Sequence, residues 1–176
     1  MRKLKNEELN RPTIDEYKSI DKQPLIVILD NVRSLNNVGS AFRTSDAFSI
    51  EKVILCGITG KPPHREIQKT ALGATESVEW EYFDNTIDAV HKLKSEGWTI
   101  LAVEQTEKSI LLDDFIPSSE EKYCLIFGNE VYGVDQGVIA ESHNCLEIPQ
   151  FGTKHSLNIA VSLGVVIWHM TYLRRK

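Results

Sequence analysis

Residues 145–158 read CLEIPQFGTKHSLN. The segment opens as a buried strand through Cys145, Leu146 and Ile148 and breaks at Pro149. It then runs through Gly152 and the polar Thr153-Lys154-His155 into an apolar helix expected to begin at Ser156. A strand that leaves through a polar loop into a helix N-terminus gathers unpaired backbone N–H groups and the positive end of the helix dipole at one spot, which is a binding geometry. Alone, Ser156 would read as an N-cap. Two upstream segments share the strand, loop, helix arrangement, and that company points to an α/β sheet with a site at its loop end.

Leu25 to Leu29 is a continuous apolar run of the kind found in strands buried on both faces. It empties into DNVRSLNNVGSAFRTSDAF, residues 30–48, where Asn36 or Asn37 can cap a helix and the backbone at Gly39 can be approached closely. Asn37 and Arg43 do not share a face of that helix, so a packed Arg43 would reach back toward the N-terminal loop. Tyr123 to Phe127 is a second buried strand, running into GNEVYGVDQGV, residues 128–138. Its Asn129 and Glu130 stand at the carboxyl end of a strand, where open α/β sheets bind ligands. Turns explain the glycines of this stretch but not an Asn-Glu pair interrupting an apolar run.

Between these landmarks the pattern predicts strands over Lys52–Cys56, Val78–Phe83 and Trp98–Val103. Helices are expected over His64–Leu72, stopped by Gly73, over Asn85–Glu96, with Gly97 beyond its end, and from Ser156 to about Leu173. Strands alternating with helices predict a mostly parallel sheet flanked by helices. Residues 56–61, CGITGK, look like a phosphate-binding loop but lack the glycine spacing and the Ser or Thr after the lysine, which rules out nucleotide triphosphate binding there. The last helix is apolar nearly all round, so its outer face needs cover within the domain or from a second copy.

At 176 residues the chain is expected to form one principal domain, with residues 1–23 as a polar N-terminal arm and 24–176 as the folded unit. Hydrophobic content of 41% and charged content of 26% suit a soluble protein. No span or secretory leader is expected. Cys56, Cys124 and Cys145 lie far apart in apolar runs and read as reduced core residues of a cytoplasmic protein. The net charge of −5 argues against a protein that coats nucleic acid. Local basic clusters soften that objection: Arg2, Lys3, Lys5 and Arg11; Lys61, His64, Arg65 and Lys69; and Arg174, Arg175 and Lys176. Five histidines show no ligand spacing, and no metal site is expected.

The three loops NNVGSAFR (36–43), FGNEVYGV (127–134) and IPQFGTKHSLN (148–158) resemble, in order and spacing, the three motifs of the SpoU/TrmH family of RNA ribose 2′-O-methyltransferases. The resemblance runs from about residue 24 to the end of the chain. It implies a C-terminal trefoil knot, an exception to the rule that protein chains are unknotted, an S-adenosyl-L-methionine site formed by the knot loops, and a homodimer covering the last helix. By position, Arg43 matches the catalytic arginine and Asn37 its motif partner. Glu130 matches the glutamate of the second motif, and Ser156 and Asn158 the polar pair of the third. Phe127, Gly128, Asn129, Ile148, Gln150, Ser156 and Leu157 match the cofactor-lining positions. Gln150, where many members carry methionine, and Tyr132 within the second motif depart from the pattern.

Expected RNA contacts are Arg33, Lys61, Arg65, Lys69, Lys154 and His155. Methyl transfer to a ribose hydroxyl needs in-line positioning and a way to favour the alkoxide. A guanidinium is almost always protonated, so Arg43 is expected to stabilise negative charge, with phosphate, water or a carboxylate such as Glu130 taking the proton. With only a short arm outside the catalytic unit, a compact RNA read by shape fits best: tRNA first, ribosomal RNA second. The alternatives are a non-catalytic RNA-binding or assembly protein on the same fold, and a knotted methyltransferase acting on a ring nitrogen.

Overall fold

A computed structural model describes residues 1–174. Arg175 and Lys176 of the C-terminal basic cluster lie outside the described residues. In chain order the elements are α1 (Ile14–Ser19), β1 (Gln23–Asp30), α2 (Leu35–Ala47), β2 (Ile50–Cys56), α3 (Arg65–Ala71), α4 (Ala74–Ser77), β3 (Glu79–Phe83), α5 (Thr86–Ser95), β4 (Thr99–Val103), β5 (Ile110–Leu111), β6 (Tyr123–Phe127), α6 (Gln136–Glu141), β7 (Asn144–Glu147) and α7 (Ile159–Arg174). The strands form one seven-stranded sheet in the order β3-β2-β1-β6-β4-β7-β5, with every pairing parallel.

The apolar run of β1 explains its central place. Leu25, Val27 and Leu29 face one layer with Val38 and Phe42 of α2, Ile67 of α3 and Leu163, Val166 and Met170 of α7. Ile26 and Ile28 face the other, with Ala89, Val90 and Leu93 of α5 and Val138 of α6. Both sets of side chains are removed from water because successive residues point to opposite faces, and each contributes about 1.5–3 kcal/mol of burial free energy. On the first layer, Gly39 sets how closely α2 meets α3: a Cβ there would lie 2.1 Å from Thr70 Oγ1 and 2.3 Å from the Ile67 carbonyl oxygen. The close approach expected at this glycine is therefore made by a neighbouring helix.

Strand and helix starts shift in instructive ways. α2 is capped by Ser34, whose Oγ accepts from Asn37 N at 3.3 Å, which frees Asn36 and Asn37 from the capping role expected of them. α7 begins at Ile159 rather than Ser156, and Asn158 Oδ1 accepts from Ala160 N at 2.9 Å. α3 ends with Leu72 at φ 49°, and Gly73 at φ 90° opens α4. The stretch 128–138 runs into a short helix, α6, capped by Asp135. Within the arm, Tyr17 of α1 is 5% exposed and joins the core of the first layer.

The carboxyl end of β1 is tied to two helix starts by Asp30, buried to 1% exposure. It accepts from Thr86 Oγ1 at 2.5 Å and Asp135 N at 3.0 Å, linking the ends of β1, α5 and α6. Cys56, Cys124 and Cys145 are free and buried, and burial pushes the Cys56 thiol up to about 12 and the Cys124 thiol higher than usual. No helix among the described residues is long and apolar enough to cross a membrane.

Candidate active site

Two loops, 128–135 after β6 and 148–158 after β7, leave the sheet on the same side and wall a cavity of about 800 Å³. β4 lies between those two strands, and its last residue Val103 and the following Glu104 and Gln105 join the lining. The residues expected to hold a cofactor, Phe127, Gly128, Asn129, Ile148, Gln150, Ser156 and Leu157, all line this cavity. Phe127, Leu146, Ile148 and Leu157 give it apolar surface. Asn129, Gln150, Ser156 and Asn158 give it hydrogen-bonding groups.

The first of the two loops is closed into a tight turn by its backbone and by the Asn129 side chain. Asn129 and Gly133 exchange backbone hydrogen bonds at 2.9 Å, and Asn129 Oδ1 accepts from Val131 N at 2.9 Å and Tyr132 N at 3.2 Å. Asn129 Nδ2 donates to Asn31 O at 2.7 Å, pinning the loop to the end of β1. A Cβ on Gly128 would lie 2.1 Å from the Gly133 carbonyl carbon, so only glycine permits the turn to fold back on itself.

Glu130 leaves that loop and clamps the start of α2. Its Oε2 accepts from Arg33 N at 2.9 Å, and its Oε1 accepts from Ser34 N at 2.9 Å and Asn37 Nδ2 at 3.0 Å. Ser34 N is one of the donors a helix start leaves unpaired, Arg33 N precedes it and Asn37 Nδ2 is a side-chain amide of the first turn; a carboxylate also matches the dipole there. Partial burial would raise the carboxyl pKa, but the hydrogen bonds from Arg33, Ser34, its own backbone and Asn37 outweigh it and hold it below the ordinary value. Glu130 is therefore an ionised anchor with both oxygens engaged, a poor proton acceptor. The geometry speaks against the base role that its residue type allowed.

Asn37 then passes the connection on. Its Oδ1 accepts from Asn158 Nδ2 at 3.2 Å, so Glu130, Asn37 and Asn158 form a hydrogen-bonded chain from all three sequence motifs at the rim of the cavity. Ser156 lines the cavity beside them and is exposed.

Arg43 stands apart. Two turns further along α2 and exposed, it lines a separate groove with Arg11, Thr13, Tyr17, Asp46 and Ser49, and is absent from the lining of the larger cavity. The expected reach back to its own N-terminal loop is not made: Arg43 sits among residues of the arm and of the far end of α2. Among the expected RNA contacts, His155 lines the cavity, while Arg33 and Lys154 are exposed near its rim loops. Lys61 lies 3.7 Å from the centroid of the Tyr82 ring, and Lys69 is 3.9 Å from Glu66. Arg65 opens α3 and is exposed. α3 abuts the start of α2, where Thr70 Oγ1 donates to Asn36 O at 3.0 Å.

Sequence reasoning missed Glu104. A signal was present: an acidic residue directly after the buried strand TILAV, the pattern that drew attention to Asn129 and Glu130. Glu104 Oε1 accepts from Gln105 N at 2.9 Å and Oε2 from Val134 N at 3.0 Å.

The SpoU rRNA methylase family model matches residues 24–168. The chain is 29% identical over 153 residues to a 23S rRNA (guanosine-2'-O-)-methyltransferase of Neisseria meningitidis, covering 87% of this chain and 60% of that protein. It is 27% identical over 170 residues to a tRNA (guanosine(18)-2'-O)-methyltransferase of Thermus thermophilus, covering 96% and 85%. A crystal structure of an AdoMet-bound rRNA methyltransferase from Sinorhizobium meliloti superposes with a TM-score of 0.78 at 26% identity, covering 90% of this chain and 59% of that one. The chain thus spans about 60% of the length of the Neisseria and Sinorhizobium proteins.

Proposed function

The chain belongs to the SpoU rRNA methylase family, and from that premise we propose that it methylates the 2′-hydroxyl of a ribose in RNA, tRNA first and ribosomal RNA second, using S-adenosyl-L-methionine. The observation that carries this reading is the chain Glu130–Asn37–Asn158, which brings the three motifs together at the rim of the 800 Å³ cavity. Relatives named for both RNA classes support both substrates.

The cavity fits the cofactor chemically. Apolar surface from Phe127, Ile148 and Leu157 suits a purine face, and Asn129, Gln150, Ser156 and Asn158 offer hydrogen-bonding groups around it. When bound, S-adenosyl-L-methionine supplies a methyl group on a sulfonium. Ser156, Asn158 and Asn37 then position the ribose hydroxyl at the cavity rim. Glu130 fixes Asn37 and the start of α2, and the hydroxyl proton passes to water or an RNA phosphate. Arg43, outside the cavity of its own chain, acts on the RNA side by stabilising negative charge.

The same reading includes a C-terminal trefoil knot, supported by the placement of β4 between β6 and β7 beneath the two cavity loops. It includes a homodimer, supported by the exposed Val161, Val165, Trp168 and Tyr172 along α7. Residues 1–23 form an arm on the catalytic domain, and the three buried free thiols support a cytoplasmic setting.

The test is transfer of labelled methyl to unmodified total tRNA and, separately, ribosomal RNA, followed by nucleoside digestion. A 2′-O-methylated nucleoside is expected, and Arg43→Ala should reduce its formation by about 100-fold or more while changing cofactor affinity only a few-fold. A methyl on a base, or no cofactor binding by the wild type, would overturn the reading.

A further inference from the structure

Four carboxylates line the cavity: Glu104, Glu130, Asp135 and Glu147. Three are turned to structural partners. Glu130 holds the start of α2 with three donors. Asp135 caps α6, its Oδ1 accepting from Gly137 N at 2.8 Å. Glu147 accepts from Ser109 Oγ at 2.5 Å on the side of β5.

Glu104 differs from all of them. It follows β4, the strand that lies between the two that carry the cavity loops. Each of its oxygens takes a single backbone N–H, Gln105 to Oε1 and Val134 to Oε2. An ionised carboxylate offers about four lone-pair sites, so two remain, one on each oxygen, on a group whose orientation is already fixed. No Lys, Arg or His among the described residues forms an ion pair with it. The opposing loop is shaped around it: Gly133 at φ 69° would place a Cβ 2.2 Å from Glu104 Oε2, so a side chain there would displace the carboxylate.

A fixed carboxylate with one free acceptor site on each of two adjacent oxygens is complementary to two adjacent hydroxyl donors. Open α/β sheets bind ligands outside the carboxyl ends of their strands, and in the dinucleotide-binding ones an acidic residue takes a ribose hydroxyl. Resting on the cofactor reading above, we infer that Glu104 is a specificity-determining residue that binds the vicinal ribose hydroxyls of the cofactor's adenosine. It selects a ribonucleoside ligand over its deoxy counterpart and contributes nothing to the methyl-transfer step beyond holding the cofactor.

A binding cycle between protein and ligand tests this without turnover. Titration calorimetry would compare S-adenosylhomocysteine with its 2′-deoxy and 3′-deoxy forms on the wild type, Glu104→Gln and Glu104→Ala. The wild type should lose about 10-fold or more for each missing hydroxyl. Glu104→Ala should bind the parent that much more weakly and show little further loss with the deoxy ligands, and Glu104→Gln should fall between. If both variants weaken all three ligands equally, Glu104 is only a loop support and the inference fails. It fails equally if neither variant changes affinity, or if the wild type does not distinguish the deoxy ligands. Absence of binding by the wild type to any of the three would instead defeat the cofactor reading itself. Circular dichroism of each variant confirms that the fold is retained, and Glu104→Gln keeps the test valid should Glu104→Ala unfold.

Discussion

Glu130 joins the loop after β6 to the start of α2. Its carboxylate collects two backbone N–H groups and one amide, all at the start of α2. Replacement by Gln sets an amide N–H₂ against a backbone N–H at one oxygen position, and should cost about 1 kcal/mol once solvent screening of this partly exposed group is allowed for. The pH dependence has a definite sign. Because the folded-state pKa is lowered from 4.5, the ionised group stabilises the fold fully above the unfolded value and loses that contribution as pH falls through the folded one. Melting curves of wild type and Glu130→Gln should differ most at neutral pH and converge in the acid range below 4.5. A gap that stays constant down to acid pH would show that the carboxylate's charge is not what holds α2.

At the scale of elements, the central strands could be read from the sequence because their residues had only one place to go. A run such as Leu25–Leu29, apolar at every position, suits a strand covered on both faces, and the structure buries all five residues. Ends were less legible. Ser156 and Asn158 are both good capping residues two positions apart, and only the side-chain bond from Asn158 to Ala160 N separates them. β5, with two residues, and α6, with six, are too short for a periodic pattern. The three loops joined through Glu130, Asn37 and Asn158 were legible as segments, because each follows or precedes a strongly apolar run. The place of Arg43 was not, because a position along a helix does not say which neighbouring loops surround it.

The last helix carries its own consequence. Val161, Val165, Trp168 and Tyr172 recur at spacings of four, three and four residues, forming one stripe, and Trp168 and Tyr172 stack with centroids 4.9 Å apart. With the opposite face buried through Leu163, Val166, Ile167 and Met170, the helix is apolar on both sides, and a second copy of the chain is the occupant proposed for the outer one. Trp168, 53% exposed in the single chain, is the natural anchor. Trp168→Glu should weaken self-association about 30-fold or more, as expected for loss of a ~2 kcal/mol hot spot. Sedimentation equilibrium would measure it, with circular dichroism showing the monomer still folded. A wild type already monomeric at micromolar concentration would remove the stripe from the dimer argument.

For the whole molecule the difficulty is charge: a chain with a net charge of −5 is proposed to bind a polyanion. Distribution resolves it. Arg65 and Lys69 lie on α3, whose Thr70 Oγ1 donates to Asn36 O near the start of α2, and Lys61 lies in the loop after β2, over the Tyr82 ring. The cavity itself is lined by Glu104, Glu130, Asp135 and Glu147, so any phosphate contact falls to basic residues outside it, such as these three. At an ionic strength of about 0.15 M the Debye length is ~8 Å, so a phosphate at this patch is governed by its near neighbours rather than by the net charge. RNA affinity should then fall as a power of salt concentration, and Lys61→Ala, Arg65→Ala and Lys69→Ala should each lower the slope of log affinity against log salt by about one while leaving cofactor affinity unchanged. Filter binding across a salt series would read it. Slopes identical to wild type in all three variants would place the RNA on another face of the protein, even if methyl transfer itself is observed.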